Sequence, residues 1–126
     1  MRKKPIPKTQ TWWRKKCVFI AKRLAKERDN YTCQKCGKKP DKIDGSHVYP
    51  EGTYHGMSAE VDNIKALCSF CHLYWWHKNP LEARDWFEMK FPDRYNRLKQ
   101  MSRLIIKKDW KEEFEKLNKQ YGQDNK

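Results

Sequence analysis

Cys33-Gln34-Lys35-Cys36-Gly37 and Cys68-Ser69-Phe70-Cys71-His72 are two Cys-x-x-Cys pairs, and they bracket a loop that holds His47 and Asn63. Each pair presents two sulfurs to one tetrahedral ion and the intervening chain closes as a loop. The spacing therefore predicts a four-thiolate structural zinc site built from Cys33, Cys36, Cys68 and Cys71. One pair alone could be a redox motif or chance; two pairs with histidines nearby are a strong signal. Gly37 follows the second cysteine, where a permissive residue lets backbone amides turn toward the sulfurs.

A staple suits this chain because its core must be modest. Of 126 residues, 37% are hydrophobic and 36% charged, and the mean hydropathy is -1.16. Small chains with limited apolar burial commonly add a metal to their folding free energy. The fifth cysteine, Cys17, stands alone in a stretch that reads as helix, so no disulfide framework is required and a reducing, cytoplasmic setting is expected. No apolar run approaches membrane-spanning length and the basic N-terminus leads into no apolar signal core, which predicts a soluble protein without a membrane partner.

Twenty-nine Lys and Arg against sixteen Asp and Glu give a formal charge of +13, and residues 1–39 alone hold fourteen basic and two acidic residues. Such a field concentrates a polyanion and gains free energy by releasing its counterions, so DNA is the expected partner. Candidate contacts are Arg2, Lys3 and Lys4 in the leading segment, Arg14, Lys15 and Lys16 in the helix that follows, and His55 in the central loop.

Residues 1–10, broken by Pro5 and Pro7, read as a basic extended arm. From Thr11, a candidate N-cap, the apolar positions Trp13, Cys17, Ile20, Ala21 and Leu24 recur at helical spacing. Between Tyr31 and Met57 the helical period disappears among glycines and prolines, which predicts turns and short strands, Ile43 to Tyr49 among them. The second cysteine pair and His72 open or sit on a helix. Asn79-Pro80-Leu81-Glu82 has the grammar of a helix start with Asn79 as cap, and Ala83, Trp86, Phe87 and Phe91 share one face. Pro92-Asp93 ends that helix. Tyr95, Leu98, Met101 and Ile105 suggest another, and Asp109 caps a last one striped by Ile106, Trp110, Phe114, Leu117 and Tyr121, with Gly122 as the stop. Stripes of this kind serve a core or a dimer contact more often than a cofactor site. Of the adjacent Trp75 and Trp76, one should pack while the other lies at the surface or under the C-terminal helices.

All four histidines, His47, His55, His72 and His77, fall within residues 47–77. An ion satisfied by four thiolates leaves these imidazoles free for a second metal or for proton transfer. Hydrolysis of a phosphodiester needs both a divalent ion to neutralise charge and a base to deprotonate the attacking water.

Gly45-Ser46-His47-Val48-Tyr49-Pro50, followed by Asp62-Asn63-Ile64-Lys65-Ala66-Leu67-Cys68-x-x-Cys71-His72, resembles the HNH endonucleases of the ββα-metal superfamily. The nearest likeness is to the zinc-stapled subset, the phage recombination nucleases of the NinG (Rap) type, and more distantly to phage endonuclease VII. The likeness covers residues 31–92. Its order, Cys-x-x-Cys, His, Asn, Cys-x-x-Cys-His, is specific in combination though each piece is weak alone. It implies an α+β fold, a small zinc-stapled ββα-metal (HNH) core flanked by a basic N-terminal helix and C-terminal helices. The corresponding division is an arm over 1–10, a nuclease domain with its N-terminal helix over 11–92, and a C-terminal helical extension over 93–126.

The resemblance also implies roles. His47 takes the general-base position. Asn63 takes the middle position that holds the hairpin loop and orients the base, and His72 takes a metal-ligand position. One divalent ion, Mg2+, Mn2+ or another transition metal, would serve hydrolysis of DNA, branched DNA included, in recombination within a phage-infected bacterial cytoplasm. Symmetric cutting of a junction would want a homodimer. Two positions depart from the pattern. Ser46 stands where the family often has Asp, so either Ser46 through water or Asp44 on the same strand face would complete the metal site. His77 follows His72 by five residues, where four would align better on an α-helix. The rival reading is a non-catalytic zinc module that binds nucleic acid with the same thiolates and the same basic field.

Overall fold

The computed structural model describes residues 7–121. Arg2, Lys3 and Lys4 of the leading segment, and Gly122, lie outside the described residues. Helix α1 (Gln10–Arg28) begins earlier than expected, because Thr9 rather than Thr11 is the cap: Thr9 is extended and its hydroxyl accepts from the Trp12 amide at 3.2 Å. One side of α1 buries Cys17, Val18, Ile20, Ala21 and Ala25. Past Arg28 the chain reverses through Asn30 and Tyr31, both at positive φ, and Asp29 accepts from the Ala66 amide at 2.9 Å. That bond ties the end of the helix to the sheet.

The sheet has two antiparallel strands, β1 (Asp44–His47) and β2 (Ile64–Leu67), in the register Asp44 to Leu67, Gly45 to Ala66, Ser46 to Lys65 and His47 to Ile64. β1 is shorter than the span Ile43 to Tyr49 because beyond His47 the chain leaves the ladder to form the loop 48–63. Strand residues alternate between faces. Gly45, His47 and Ile64 turn toward α1, where Ile64 packs on Ala21 and Ala25. Ser46 and Lys65 turn the other way, toward Trp76.

After β2 the chain enters a helical segment whose central part, Cys71–Trp76, is a π-helical turn. Helix α2 (Pro80–Lys90) follows with Pro80 in its first turn, but the Asn79 side chain does not cap it; that amide donates to the Trp75 carbonyl. Phe91 and Pro92 break the path as expected, and α3 (Pro92–Ser102) packs Leu98 with Phe87 and Met57 in one core cluster. Ile105 does not continue that stripe. The helix ends at Ser102, leaving Ile105 91% exposed. Asp109 accepts from the amides of Lys111 and Glu112 and so opens α4 (Trp110–Tyr121).

The stripe of α4 lies against α1. Phe114 meets Trp13 at 5.3 Å between ring centroids, and the Cys17 thiol donates to the Trp110 carbonyl. Gln10 accepts from the Trp110 amide at 2.7 Å. The fold is thus α+β, mostly helical, with a two-stranded sheet. A tight cysteine group and a helical segment cover one face of the sheet, and α1 covers the other. Among the described residues, no helix is long and apolar enough to cross a membrane.

Candidate functional site

The two cysteine pairs arrive from different elements. Cys33 and Cys36 sit on a turn that Gly37 closes at φ +78, with its amide donating to the Cys33 carbonyl at 2.9 Å. Cys68 directly follows β2 and Cys71 opens the π-helical turn, where its amide points at the Cys68 sulfur from 3.5 Å. All four sulfurs lie within 4.8 Å of one another. The Cys36 and Cys68 sulfurs are 3.8 Å apart. A tetrahedral ion with metal–sulfur bonds of about 2.3 Å separates its ligands by about 3.8 Å, so this is the spacing a bound ion requires.

The chemistry of the donors agrees. Burial pushes the Cys71 thiol far up, and the sulfurs of Cys68 and Cys33 add to the push. Burial acts in the same direction on Cys33, but the amides of Cys36, Cys68 and Lys35 outweigh it and bring that thiol down to about 7. Four crowded thiolates repel one another, and a cation relieves that repulsion. Cys33, Cys36, Cys68 and Cys71 can therefore hold a metal ion.

The histidines form a second constellation. A cleft of about 460 Å³ is lined by His47, His72 and His77 together with Lys22, Gly45, Glu51, Trp76, Arg84 and Tyr95. β1 supplies residues to its wall and β2 supplies none, so the cleft runs along the unpaired edge of β1. His47 Nε2 lies 2.7 Å from the Ser58 carbonyl oxygen. A carbonyl only accepts, so Nε2 carries the proton and Nδ1 keeps its lone pair. Burial pushes His47 below the ordinary histidine value, against the upward pull of that carbonyl and of Glu51, while Lys22 and Lys65 push it further down. The ring is held neutral with one basic nitrogen available.

Asn63 is fully buried and touches only backbone. It accepts from the Tyr49 amide at 2.8 Å and donates to the carbonyls of Tyr49 and Met57, both at 3.1 Å. All its bonding groups are used in pinning the loop that carries Ser58, the partner of His47. The side-chain hydrogen bonds of Asn63 all go to this loop's backbone, which carries the His47 partner Ser58.

Across the cleft, Asp44 Oδ2 accepts from His72 Nδ1 at 3.1 Å, which fixes the ring and leaves Nε2 a lone pair for a cation. The five-residue interval to His77 is accommodated by the π-helical turn. Its wider i to i+5 pitch appears in the bond from the His77 amide to the His72 carbonyl at 3.3 Å. The two imidazoles then lie side by side, with centroids 4.7 Å apart. Burial, His72 and Lys65 together push His77 below the ordinary value. Among the described residues, the cysteines are the place where three or more metal donors gather tightly. The histidine site brings Asp44 and His72 into contact with His77 alongside.

Several expected residues are elsewhere. Ser46 is buried and its hydroxyl accepts from Lys65 Nζ at 3.1 Å. Lys65 thus engages the Ser46 hydroxyl, and the carboxylate in contact with His72 is that of Asp44. Arg14 is also buried, paired with Glu51 at 2.9 Å and donating to Ser58, so it braces the loop and does not reach an outside partner. Lys15 and Lys16 are exposed on α1, and Lys16 lies over Trp12. His55 is exposed but lines a separate hollow with Met101 and Ile106. Nothing in the sequence singles out Lys65, Lys22 or Arg84. Lys65 is fully buried opposite Ser46 in the ladder.

No protein-family model matches the chain, and no solved structure matches it. One curated protein does: Anaredoxin from Nostoc sp. is 32% identical over 62 residues, a stretch that spans 49% of this chain and 78% of that protein. Identity at this level over most of a short protein is a family relationship, and the chain belongs to the family of Anaredoxin.

Proposed function

We propose that this protein is a metal-dependent DNA endonuclease of the HNH type, with a structural zinc at the four cysteines. The observation that carries the reading is the shared cleft: a neutral histidine with one free basic nitrogen opens into the same space as an Asp–His pair with a second histidine beside it. His47 Nδ1 takes the proton of the attacking water, and the Ser58 carbonyl stabilises the imidazolium that results. His72 Nε2 and His77 would hold a divalent ion, with Asp44 orienting the His72 ring from its Nδ1 side. When bound, that ion supplies Lewis-acid stabilisation of charge on the scissile phosphate. The basic surface supports DNA as the polyanion. The name Anaredoxin carries no such activity, and the reading rests on the cleft.

The test offers purified protein linear, flapped and branched DNA of matched sequence with magnesium, manganese, nickel or zinc. Metal-dependent cleavage that His47→Ala abolishes supports the proposal. A wild-type protein that cuts none of these with any metal sinks it and leaves a nucleic-acid-binding module.

A second reading has a specific observation behind it. The name Anaredoxin is that of a redox protein, and four thiolates also hold iron, in which case the cysteine site would carry electrons. Metal analysis and the visible spectrum decide between them. One colourless zinc per chain supports the nuclease reading; iron with thiolate-to-metal absorption that bleaches on reduction supports the electron carrier.

A further inference from the structure

We infer that Lys22 is a phosphate-binding residue of the histidine cleft, supplied by a helix that lies outside the cysteine-bracketed segment. The inference rests on the nuclease reading for its substrate, but the geometry behind it is independent. Lys22 sits on the side of α1 that meets β1. A Cβ built on Gly45 would stand 2.9 Å from Lys22 Cγ and 3.1 Å from its Cβ. Contacts that close involve the root of the lysine stem, which cannot swing away. The glycine is therefore what lets the stem lie flat on the β1 backbone.

Gly45 and His47 are two residues apart on one strand, so they share a face and are separated by about 6.6 Å along it. A lysine stem seated on Gly45 is therefore rooted on the same face of β1 as His47. Lys22 and His47 indeed line the same cleft, and Lys22 is close enough to depress the His47 basicity. The charge is also uncommitted. On the same helix Arg14 pairs with Glu51, Arg23 with Glu27 and Arg28 with Asp29, whereas Lys22 makes no ion pair among the described residues. Glu51 also lines the cleft, and Arg14 has already engaged it.

An unpaired ammonium beside a neutral base is the arrangement that receives a phosphate oxygen. Lys22 would hold a non-bridging oxygen of the diester next to His47 Nδ1 and gain strength as negative charge builds on that group in the transition state.

The experiment uses the full chain with Lys22→Met and Lys22→Gln, which keep the stem on Gly45 and remove the charge, and Lys22→Arg, which restores it. Two readouts are taken. The first is cleavage of a linear duplex oligonucleotide, with the rate constant separated from KM. The second is the shift of the His47 ring resonances on adding inorganic phosphate. The expected result is a fall in the cleavage rate constant of roughly 10²-fold for both neutral variants, as for removal of one preorganised electrostatic partner. Partial recovery is expected in Lys22→Arg, and the phosphate response should be lost in Met and Gln. Neutral variants that cleave like the wild type, or that keep the phosphate response, overturn the inference. If the wild type cleaves nothing, the nuclease reading falls. The phosphate titration still decides the role of Lys22, since a response that requires the lysine upholds an anion site and one that does not removes it.

Discussion

At the residue scale, the histidines of the cleft differ in what surrounds them, and the differences assign them separate tests. His47 is kept neutral by burial, with its folded value below 6.5. A base whose value is depressed is competent above that value and is lost as pH falls through it. Cleavage by the proposed nuclease should therefore hold from neutral pH down through 6.5 and decline only below. A decline already complete above 6.5 would mean that another group is the base. His47→Ala should lower the rate constant roughly 10²-fold or more with DNA binding intact. His72→Ala should instead raise the divalent-metal concentration needed, with partial rescue at high metal, because it removes a ligand rather than the base. Lys65 provides a stability test. Its ammonium lies 3.1 Å from the centroid of Trp76 and is fully buried, with its value well below 10.5 because burial outweighs every favourable interaction. The folded state therefore binds this proton less well than the unfolded chain, so stability is lost as pH falls from 10.5 through the depressed value. Lys65→Met, which fills the same volume without charge, should raise Tm near neutral pH. The gain should shrink as pH approaches 10.5, and a Tm that drops at all pH values would show that the ammonium stabilises the core.

At the element scale, the loop and the π-helical turn are what convert a sequence motif into a cleft. The three bonds from Asn63 to Tyr49 and Met57 hold the loop 48–63 closed over the end of β1. Replacing Asn63 with Ala strands three backbone groups, one buried and two part-buried, at about 1 kcal/mol each, so a loss of up to about 3 kcal/mol is expected in denaturant unfolding. Cleavage should fall with it while the metal requirement stays unchanged, since Ser58 and hence the His47 ring are freed but Asp44 and His72 are not. A shifted metal requirement would place Asn63 in the metal site instead. The cysteine pairs are legible in the sequence by their spacing, which survives any detail of packing, while His47, Asn63 and His72 are singled out there by the resemblance to the HNH motif. Ser46 stays an alternative to Asp44 there, because its surroundings depend on the residue across the ladder, and a strand register is not written in either strand alone. Asp44 and His77 stay undecided in the sequence for a related reason. The five-residue interval looks out of phase on an α-helix, and it comes into phase on a π-helical turn that no local propensity announces.

At the scale of the whole molecule, α1 serves two surfaces at once, and that limits which of its cations the proposed DNA substrate would meet. One side is buried under α4 and against the sheet, which removes Arg14 from solvent; the other presents Lys15 and Lys16. The amphipathic period predicts such a division but not which arginine turns inward, since Arg14 is drawn in by Glu51 from a distant loop. The C-terminal stripe of α4 is equally consistent in sequence with a core or a dimer contact, and its Trp110 and Phe114 meet α1 of the same chain. A cut before Thr9 spares the cap of α1 and the Gln10 bond to the Trp110 amide, and among the described residues it gives up the contacts of Lys8 with the rings of Trp12 and Trp13. A protein lacking residues 1–8 should therefore melt at nearly the wild-type temperature. Its DNA affinity should be weaker and its salt dependence shallower, by up to about 0.9 in the slope of log K against log salt for each phosphate no longer neutralised. The slope is the decisive quantity, because a structural disturbance lowers affinity without changing the number of ions released. Equal slopes for the two proteins would assign the leading segment no role at the phosphates, and the basic field would then have to act through α1 and the cleft alone.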